Sequence, residues 1–318
     1  MSQSLSYLML FGGCIYLLVG GDFLVRGSLA LARKLSLSPV IVGLTVVALG
    51  TSLPELVVSV HSALNNLPGI AIGNVVGSNI ANVLLVLGVP ALIHPMVCLD
   101  ESMKKQAWAM LLVSILFVLM CLTGEIGFIE AALLLTILLA GLIWTVRGEA
   151  MLPGLDASQV EEQLEQVIGL PSRNLSIASL VILGCIFLPV GANLAVEGAV
   201  EVSRSLGVSE AAIASTMVAL GTSLPELSST VIAAYRRSAE MAFGNVIGSN
   251  LFNILLIIGV TGTLTDIEVP AEYLRRDLWF LTGAALLLLY VVLSKKVIGR
   301  VSGSIYCAIY SGYCILVL

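Results

Sequence analysis

Charge is what this sequence lacks most. Only 11% of its 318 residues are Asp, Glu, Lys or Arg, whereas a soluble domain carries roughly a quarter. With 58% apolar residues and a mean hydropathy of +1.05, the chain is built for lipid rather than water. At roughly 20 apolar residues per crossing, the length is used up by about ten membrane helices and short connections, which excludes a large catalytic or nucleic-acid-binding domain. An excess of positive charge is also absent. Fifteen basic and twenty acidic residues leave a net charge of −5, which argues against binding a phosphate backbone. The six cysteines (Cys14, Cys98, Cys121, Cys185, Cys307 and Cys314) contain no CxxC and sit mostly inside apolar runs, so they read as small core residues rather than metal ligands or disulfides. The two histidines, His61 and His94, are isolated from each other. No Lys or Arg precedes the first apolar run and no clear small-residue cleavage site follows it, which predicts a retained first span rather than a cleaved signal peptide.

Apolar runs fall at 5–32, 39–64, 69–94, 106–122, 126–146, 175–203, 209–234, 240–264, 278–294 and 301–318, ten spans in all. The one long polar stretch, 147–174, holds Glu149, Asp156, Glu161, Glu162 and Glu165 and divides the chain nearly in half. Positive residues beside short loops stay on the cytoplasmic side. With the N-terminus outside, the cytoplasmic ends carry eleven (Arg33, Lys34, Lys104, Lys105, Arg147, Arg173, Arg236, Arg237, Lys295, Lys296 and Arg300) and the opposite side three (Arg204, Arg275 and Arg276). That bias predicts N-out, C-out, with the acidic linker in the cytoplasm.

The most informative feature is an internal repeat. VALGTSLPEL at Val47–Leu56 recurs, identical in all ten positions, at Val218–Leu227, an offset of 171. The same ungapped offset lays Gly73-Asn74-Val75-Val76-Gly77-Ser78-Asn79-Ile80-Ala81-Asn82 on Gly244-Asn245-Val246-Ile247-Gly248-Ser249-Asn250-Leu251-Phe252-Asn253. Residues 1–146 and 175–318 are therefore homologous halves of five spans each, with the strongest similarity in 39–94 and 209–264. Five is odd, so the halves cross the membrane in opposite senses. The expected fold is an all-α integral membrane protein of ten transmembrane helices in two inverted-topology repeats, the architecture of secondary transporters, whose substrate sites lie near the midplane between the repeats.

Gly50-Thr51-Ser52-Leu53-Pro54-Glu55 interrupts the second span, and Gly221-Thr222-Ser223-Leu224-Pro225-Glu226 repeats the device. Pro54 lacks a donor and clashes with the carbonyl one turn earlier, so carbonyls there are freed or bent outward. Such a break survives in hydrocarbon only when buried in protein or lining an aqueous cavity. Glu55 and Glu226 are acids at membrane depth, a functional-site signature. Two like carboxylates facing each other repel unless a cation lies between them. The third and eighth spans offer Ser78, Asn79 and Asn82, and Ser249, Asn250 and Asn253; Ser78 and Asn82 share a helix face, as do Ser249 and Asn253. The alternative for these GNVVGSN and GNVIGSN segments is a close-packing face of glycines with hydrogen-bonding asparagines. The inventory contains oxygen donors and no thiol or imidazole, which suits Ca²⁺, Na⁺ or Mg²⁺. Two carboxylates balance one Ca²⁺ or two Na⁺. Elsewhere in the spans, Arg26 pairs either with Asp22 in its own helix or with Glu197 across the repeats.

GTSLPE followed by GNVVGSN, doubled in inverted halves, resembles the α-repeats of the cation/calcium exchanger superfamily in its prokaryotic sodium/calcium exchanger branch. The likeness covers nearly the whole chain. It implies electrogenic exchange of Na⁺ for Ca²⁺ in a bacterial or archaeal inner (plasma) membrane, with the ions as cargo, no cofactor, and no enzyme activity. It also implies that Glu55 and Glu226 are shared by calcium and sodium sites together with carbonyls or hydroxyls of Ala48, Thr51, Ser52, Ala219, Thr222 and Ser223, while Ser78, Ser249, Asn82 and Asn253 complete the shell. The first and sixth spans would slide against the other eight. Some relatives have an aspartate at the position of Asn253, whereas both halves here have asparagine; the proton/calcium branch typically has a glutamate near Gly77 and Gly248. Both departures favour sodium.

The alternatives are a related antiporter using H⁺ or K⁺ or carrying another divalent cation, a cation channel on the same dyad, and an intramembrane hydrolase. The hydrolase elbow GxSxG fails, because Pro54 replaces its second glycine. The expected partners are calcium and sodium ions and the lipid bilayer, with no nucleic acid and no obligatory protein.

Overall fold

In hydrocarbon every backbone N–H and C=O must find a partner within the protein, which drives apolar runs into helices. The computed structural model describes residues 3–97, 102–151, 169–208 and 221–317. Within them the helices are α1 (Gln3–Leu35), α2 (Pro39–Thr51), α3 (Leu53–Leu64), α4 (Pro68–Ile93), α5 (Ser102–Cys121), α6 (Phe128–Met151), α7 (Asn174–Ser205), α8 (Leu224–Tyr235), α9 (Ala239–Leu264), α10 (Tyr273–Ser294) and α11 (Arg300–Val317). Each of the ten apolar runs contains helix over its described residues; 209–220, the first part of the seventh run, lies outside them, as does Cys98. Among the described residues seven helices are long and apolar enough to cross a membrane, and α2 with α3, bent by 44° at Ser52, makes an eighth.

The centre is formed by α4 and α9, whose apolar stretches are 72% and 83% buried, against 33% for α1 and 28% for α7. These two innermost helices carry the repeated asparagines and serines, so their polar groups face protein rather than lipid. Each changes to a wider π-helical turn at the last residue of the repeated segment, at Asn82–Val86 and Asn253–Ile258. Such turns leave the regular hydrogen-bond ladder and recur at functional sites. Two short antiparallel pairings tie loops together: Glu125–Ile126 with Ile267–Glu268, and Met96 with Ile298. Met96 and Ile267 stand 171 residues apart, so the two pairings are related by the repeat.

At 33 and 32 residues, α1 and α7 are the longest helices, and they run antiparallel in backbone contact. A Cβ on Gly184 would stand 2.7 Å from Leu24 N, one on Gly191 2.7 Å from Leu17 N, and one on Gly27 2.9 Å from Val181 N. Only glycine permits this approach along a shared seam. Gly184→Leu must therefore push the pair apart, costing about 1–3 kcal/mol of overpacking. Gly12→Leu on the same α1, where a Cβ meets nothing within 4 Å, should leave stability unchanged. Thermal unfolding of the two variants in detergent checks the contrast. The repeated glycines of α9 work similarly: a Cβ on Gly248 would lie 2.6 Å from Ala48 Cβ, and one on Gly244 3.1 Å from Leu44 N, so α9 rests on α2. For Gly77 the offset-related partner positions, 215 and 219, fall outside the described residues.

Candidate cation-binding site

The site starts from two breaks of the same shape. Ser52 stands between α2 and α3 with φ −86°, ψ 2°, and Ser223 precedes α8 with φ −87°, ψ 1°. Pro54 and Pro225 occupy the first turns of α3 and α8, where their missing N–H is not needed. Glu55 and Glu226 follow in those first turns, where the helix dipole favours a carboxylate. The break does not free every carbonyl. Ala48 O accepts from Ser52 N at 3.0 Å and from Thr51 Oγ1 at 3.2 Å, so both of its lone pairs are engaged in this conformation. Its repeat partner, Ala219, lies outside the described residues.

The halves meet crosswise. Thr51 Oγ1 is 3.4 Å from Ser249 Oγ, and the pair related by the repeat, Thr222 Oγ1 and Ser78 Oγ, is also 3.4 Å apart. Ser52 Oγ donates to Glu226 Oε1 at 3.4 Å. Asn82 Nδ2 donates to Asn250 Oδ1, and Asn253 Nδ2 to Asn79 Oδ1, each at 3.0 Å. Within each half, Asn74 Nδ2 donates to Ser59 Oγ and Asn245 Nδ2 to Thr230 Oγ1, both at 2.9 Å, holding α4 against α3 and α9 against α8. Helix α3 also packs on the turn that begins at Asn253, and α8 on the turn that begins at Asn82. Of the sequence-derived set, Glu55, Glu226, Thr51, Ser52, Ser223, Ser78, Ser249, Asn82 and Asn253 are all buried, and Thr222 is partly so.

Glu55, Glu226, Asn82 and Asn253 are fully shielded from solvent, and the two carboxylates lie close enough for their charges to interact. With both glutamates ionised, six buried oxygens of this cluster have no hydrogen-bond partner: Glu55 Oε1 and Oε2, Glu226 Oε2, Asn82 Oδ1, Asn253 Oδ1 and Ser223 Oγ. Unpaired buried carboxylate oxygens are costly, and oxygen atoms grouped in this way match a hard cation. Among the described residues no group of three or more His, Cys, Asp or Glu comes together. The charge of the cluster therefore rests on two carboxylates, and its other donors are neutral.

Sequence reasoning leaves Asn74, Asn245, Asn79 and Asn250 out of the ligand set. Their signal is their presence in the repeated segment, but only the structure shows which groups they hold. It also settles the Arg26 alternatives. Asp22 Oδ2 lies 3.5 Å from Arg26 Nη1 in the same helix, and Arg26 Nε donates to Gly169 O at 3.1 Å. Asp22 has a second, unanticipated partner across the molecule in Arg236, whose Nε donates at 2.9 Å. His61 and His94 sit at helix ends against Asn65 and Pro95 O, away from the cluster.

The family model for the sodium/calcium exchanger protein matches residues 5–147 and 176–318. Sodium/calcium exchanger MaX1 of Methanosarcina acetivorans is 31% identical over 347 residues, covering 98% of each chain. Inner membrane protein YrbG of Escherichia coli is 32% identical over 273 residues, covering 84% of this chain and 82% of its own. Among solved structures, the sodium-calcium exchanger NCX_Mj soaked with Na⁺ and Sr²⁺ superimposes with a TM-score of 0.83 at 32% identity, covering 100% of this chain and 99% of that one. Matched along both halves, this chain belongs to the sodium/calcium exchanger family.

Proposed function

We propose that this chain is an antiporter that exchanges Na⁺ for Ca²⁺ across the membrane by alternating access at the buried oxygen cluster, acting as a transporter and not an enzyme. The observation that carries the reading is the set of six buried oxygens without partners when both glutamates are ionised, three of them on Glu55 and Glu226 themselves. Glu55 and Glu226 supply the charge. Thr51, Ser52, Thr222, Ser223, Ser78, Ser249, Asn82 and Asn253 supply neutral oxygens, with the carbonyls of Ala48 and Ala219 joining when their helix breaks reorganise. A net −2 is neutralised by one Ca²⁺ or two Na⁺, so the same oxygens serve either cargo in turn. Similar ionic size makes the two ions exclusive occupants, which is what couples them.

In this reading the chain forms ten transmembrane helices in two inverted five-helix repeats, 1–146 and 175–318, joined by the linker 147–174. The matching polar contacts at the 171-residue offset support it. The eleven-to-three distribution of basic residues supports N-out and C-out termini with the linker in the cytoplasm. Helices α1 and α7 slide as one body past the core, a role their glycine seam suits.

The test is calcium uptake into vesicles containing the purified protein, with gradients imposed one at a time. An outward Na⁺ gradient should drive ⁴⁵Ca²⁺ uptake, whereas a pH gradient alone should not, because Asn82 and Asn253 leave no third carboxyl to carry a proton. Lower pH should still inhibit, since protonating either glutamate removes a ligand. Proton-driven uptake without sodium would replace Na⁺ with H⁺ as the counter-ion. Calcium entry with no counter-ion gradient of any kind would point to a channel.

A further inference from the structure

An asparagine amide has a right and a wrong way round at a cation site: its carbonyl oxygen accepts, and its NH2 group only donates. Asn82 and Asn253 both turn their Nδ2 away, onto Asn250 Oδ1 and Asn79 Oδ1 at 3.0 Å, which leaves their own Oδ1 atoms buried and without a partner in the cluster. What fixes this direction lies one residue further out. Asn79 Nδ2 donates to the backbone carbonyl of Asn250 at 3.4 Å, and Asn250 Nδ2 donates to Met110 Sδ at 3.4 Å. A backbone carbonyl and a thioether can only accept, so the NH2 of each outer asparagine must face its anchor. Its Oδ1 must then face the inner asparagine, whose NH2 is drawn outward in turn. The relay is fixed at its far end by groups that cannot reverse their polarity.

The geometry assigns Asn79 and Asn250 as positioning residues for the exchange reaction. They set the carbonyl faces of Asn253 and Asn82 toward the cation without touching it. The assignment rests on the reading above that Asn82 and Asn253 belong to the ion site. Each relay crosses the repeat boundary, because the asparagine on α4 orients the one on α9 and the reverse. The two arms differ in one respect. Met110 is replaced at the repeat offset by Leu281, which has no acceptor, and the anchor of Asn79 is instead a main-chain carbonyl.

Asn250→Leu keeps the volume but removes the acceptor, so the Asn82 amide is free to turn its NH2 inward. The apparent KM for Ca²⁺ in Na⁺-driven ⁴⁵Ca²⁺ uptake should rise by about 10- to 100-fold, the usual cost of losing an outer-shell partner. The readout that a packing role would not move is the same substitution in an Asn82→Asp background. A carboxylate presents an oxygen whichever way it turns, so Asn250→Leu should cost less than about threefold there, near the scatter of independent sites. An equal cost in both backgrounds, or a cost below about threefold in the wild type, overturns the assignment. Asn82→Leu, measured alongside, separates the two levels. An unchanged KM in that variant removes Asn82 from the site itself. A raised KM there with Asn250→Leu unaffected removes only the positioning role. If Asn250→Leu is not recovered folded, Asn79→Leu in wild-type and Asn253→Asp backgrounds runs the same cycle on the mirror pair.

Discussion

Glu55→Gln and Glu226→Gln are each expected to abolish Na⁺-driven calcium uptake while leaving normal amounts of protein in the membrane. Each carboxylate carries half of the cluster's negative charge, and both are fully buried. A unit charge about 4 Å from a cation is worth about 4 kcal/mol at an effective dielectric of about 20, and a divalent ion doubles that figure. Loss of one charge therefore weakens calcium binding by roughly a thousandfold or more, beyond the reach of ordinary substrate concentrations. Fold should survive, because glutamine keeps the shape and removes a charge whose burial is costly without a counter-ion. The measurement is uptake per mole of reconstituted protein, with thermal unfolding as the control for folding. Robust exchange by either variant would sink the shared-dyad model.

Locking α1 to the core should stop transport just as completely while sparing ion binding. A Cβ on Gly21 would lie 2.7 Å from Ser228 Oγ on α8, which places Gly21→Cys and Ser228→Cys within disulfide reach. Ser228 Oγ already donates to Leu17 O at 2.6 Å, and Asp22 pairs with Arg236, so this face of α1 is in contact with α8. Because α1 and α7 touch backbone to backbone, a bond on α1 restrains both. Oxidation of the double variant should abolish exchange, and reduction should restore it. Oxidised single variants control for the native cysteines, and calorimetric Ca²⁺ binding should persist in the crosslinked protein. Undiminished exchange with the disulfide fully formed would mean that α1 does not move against α8 during the cycle.

Much of the site is legible in the amino-acid sequence alone, since its residues are out of place in lipid. Glu55, Glu226, Pro54 and Pro225 stand out because an acid or a helix break at membrane depth demands a reason. Ser78, Asn82, Ser249 and Asn253 stand out because they recur at the same offset. Asn79 and Asn250 recur as faithfully and still find no place among the expected ligands, because repetition marks a residue as needed without saying for what. The carbonyl of Ala48 shows the opposite limit. A proline predicts disturbed carbonyls one turn back, but whether Ala48 O is open depends on where Ser52 N and the Thr51 hydroxyl settle, and both settle on it.

The sequence by itself determined the solvent, the apolar runs, the duplication and the oxygen-donor character of the candidate site. These follow from composition, from runs of about 20 apolar residues, and from identity at one offset, all of which are local or self-referential properties of the chain. Only the tertiary structure decided that the halves bind each other crosswise, Thr51 to Ser249 and Thr222 to Ser78. It alone decided that Asp22 pairs with Arg236, and that α1 and α7 share a glycine seam. The physical reason is that a repeat makes two sets of donors and acceptors identical and says nothing of which set a given group will meet. A hydrogen bond is directional and short-ranged, so partners far apart in the chain are chosen by how whole helices pack.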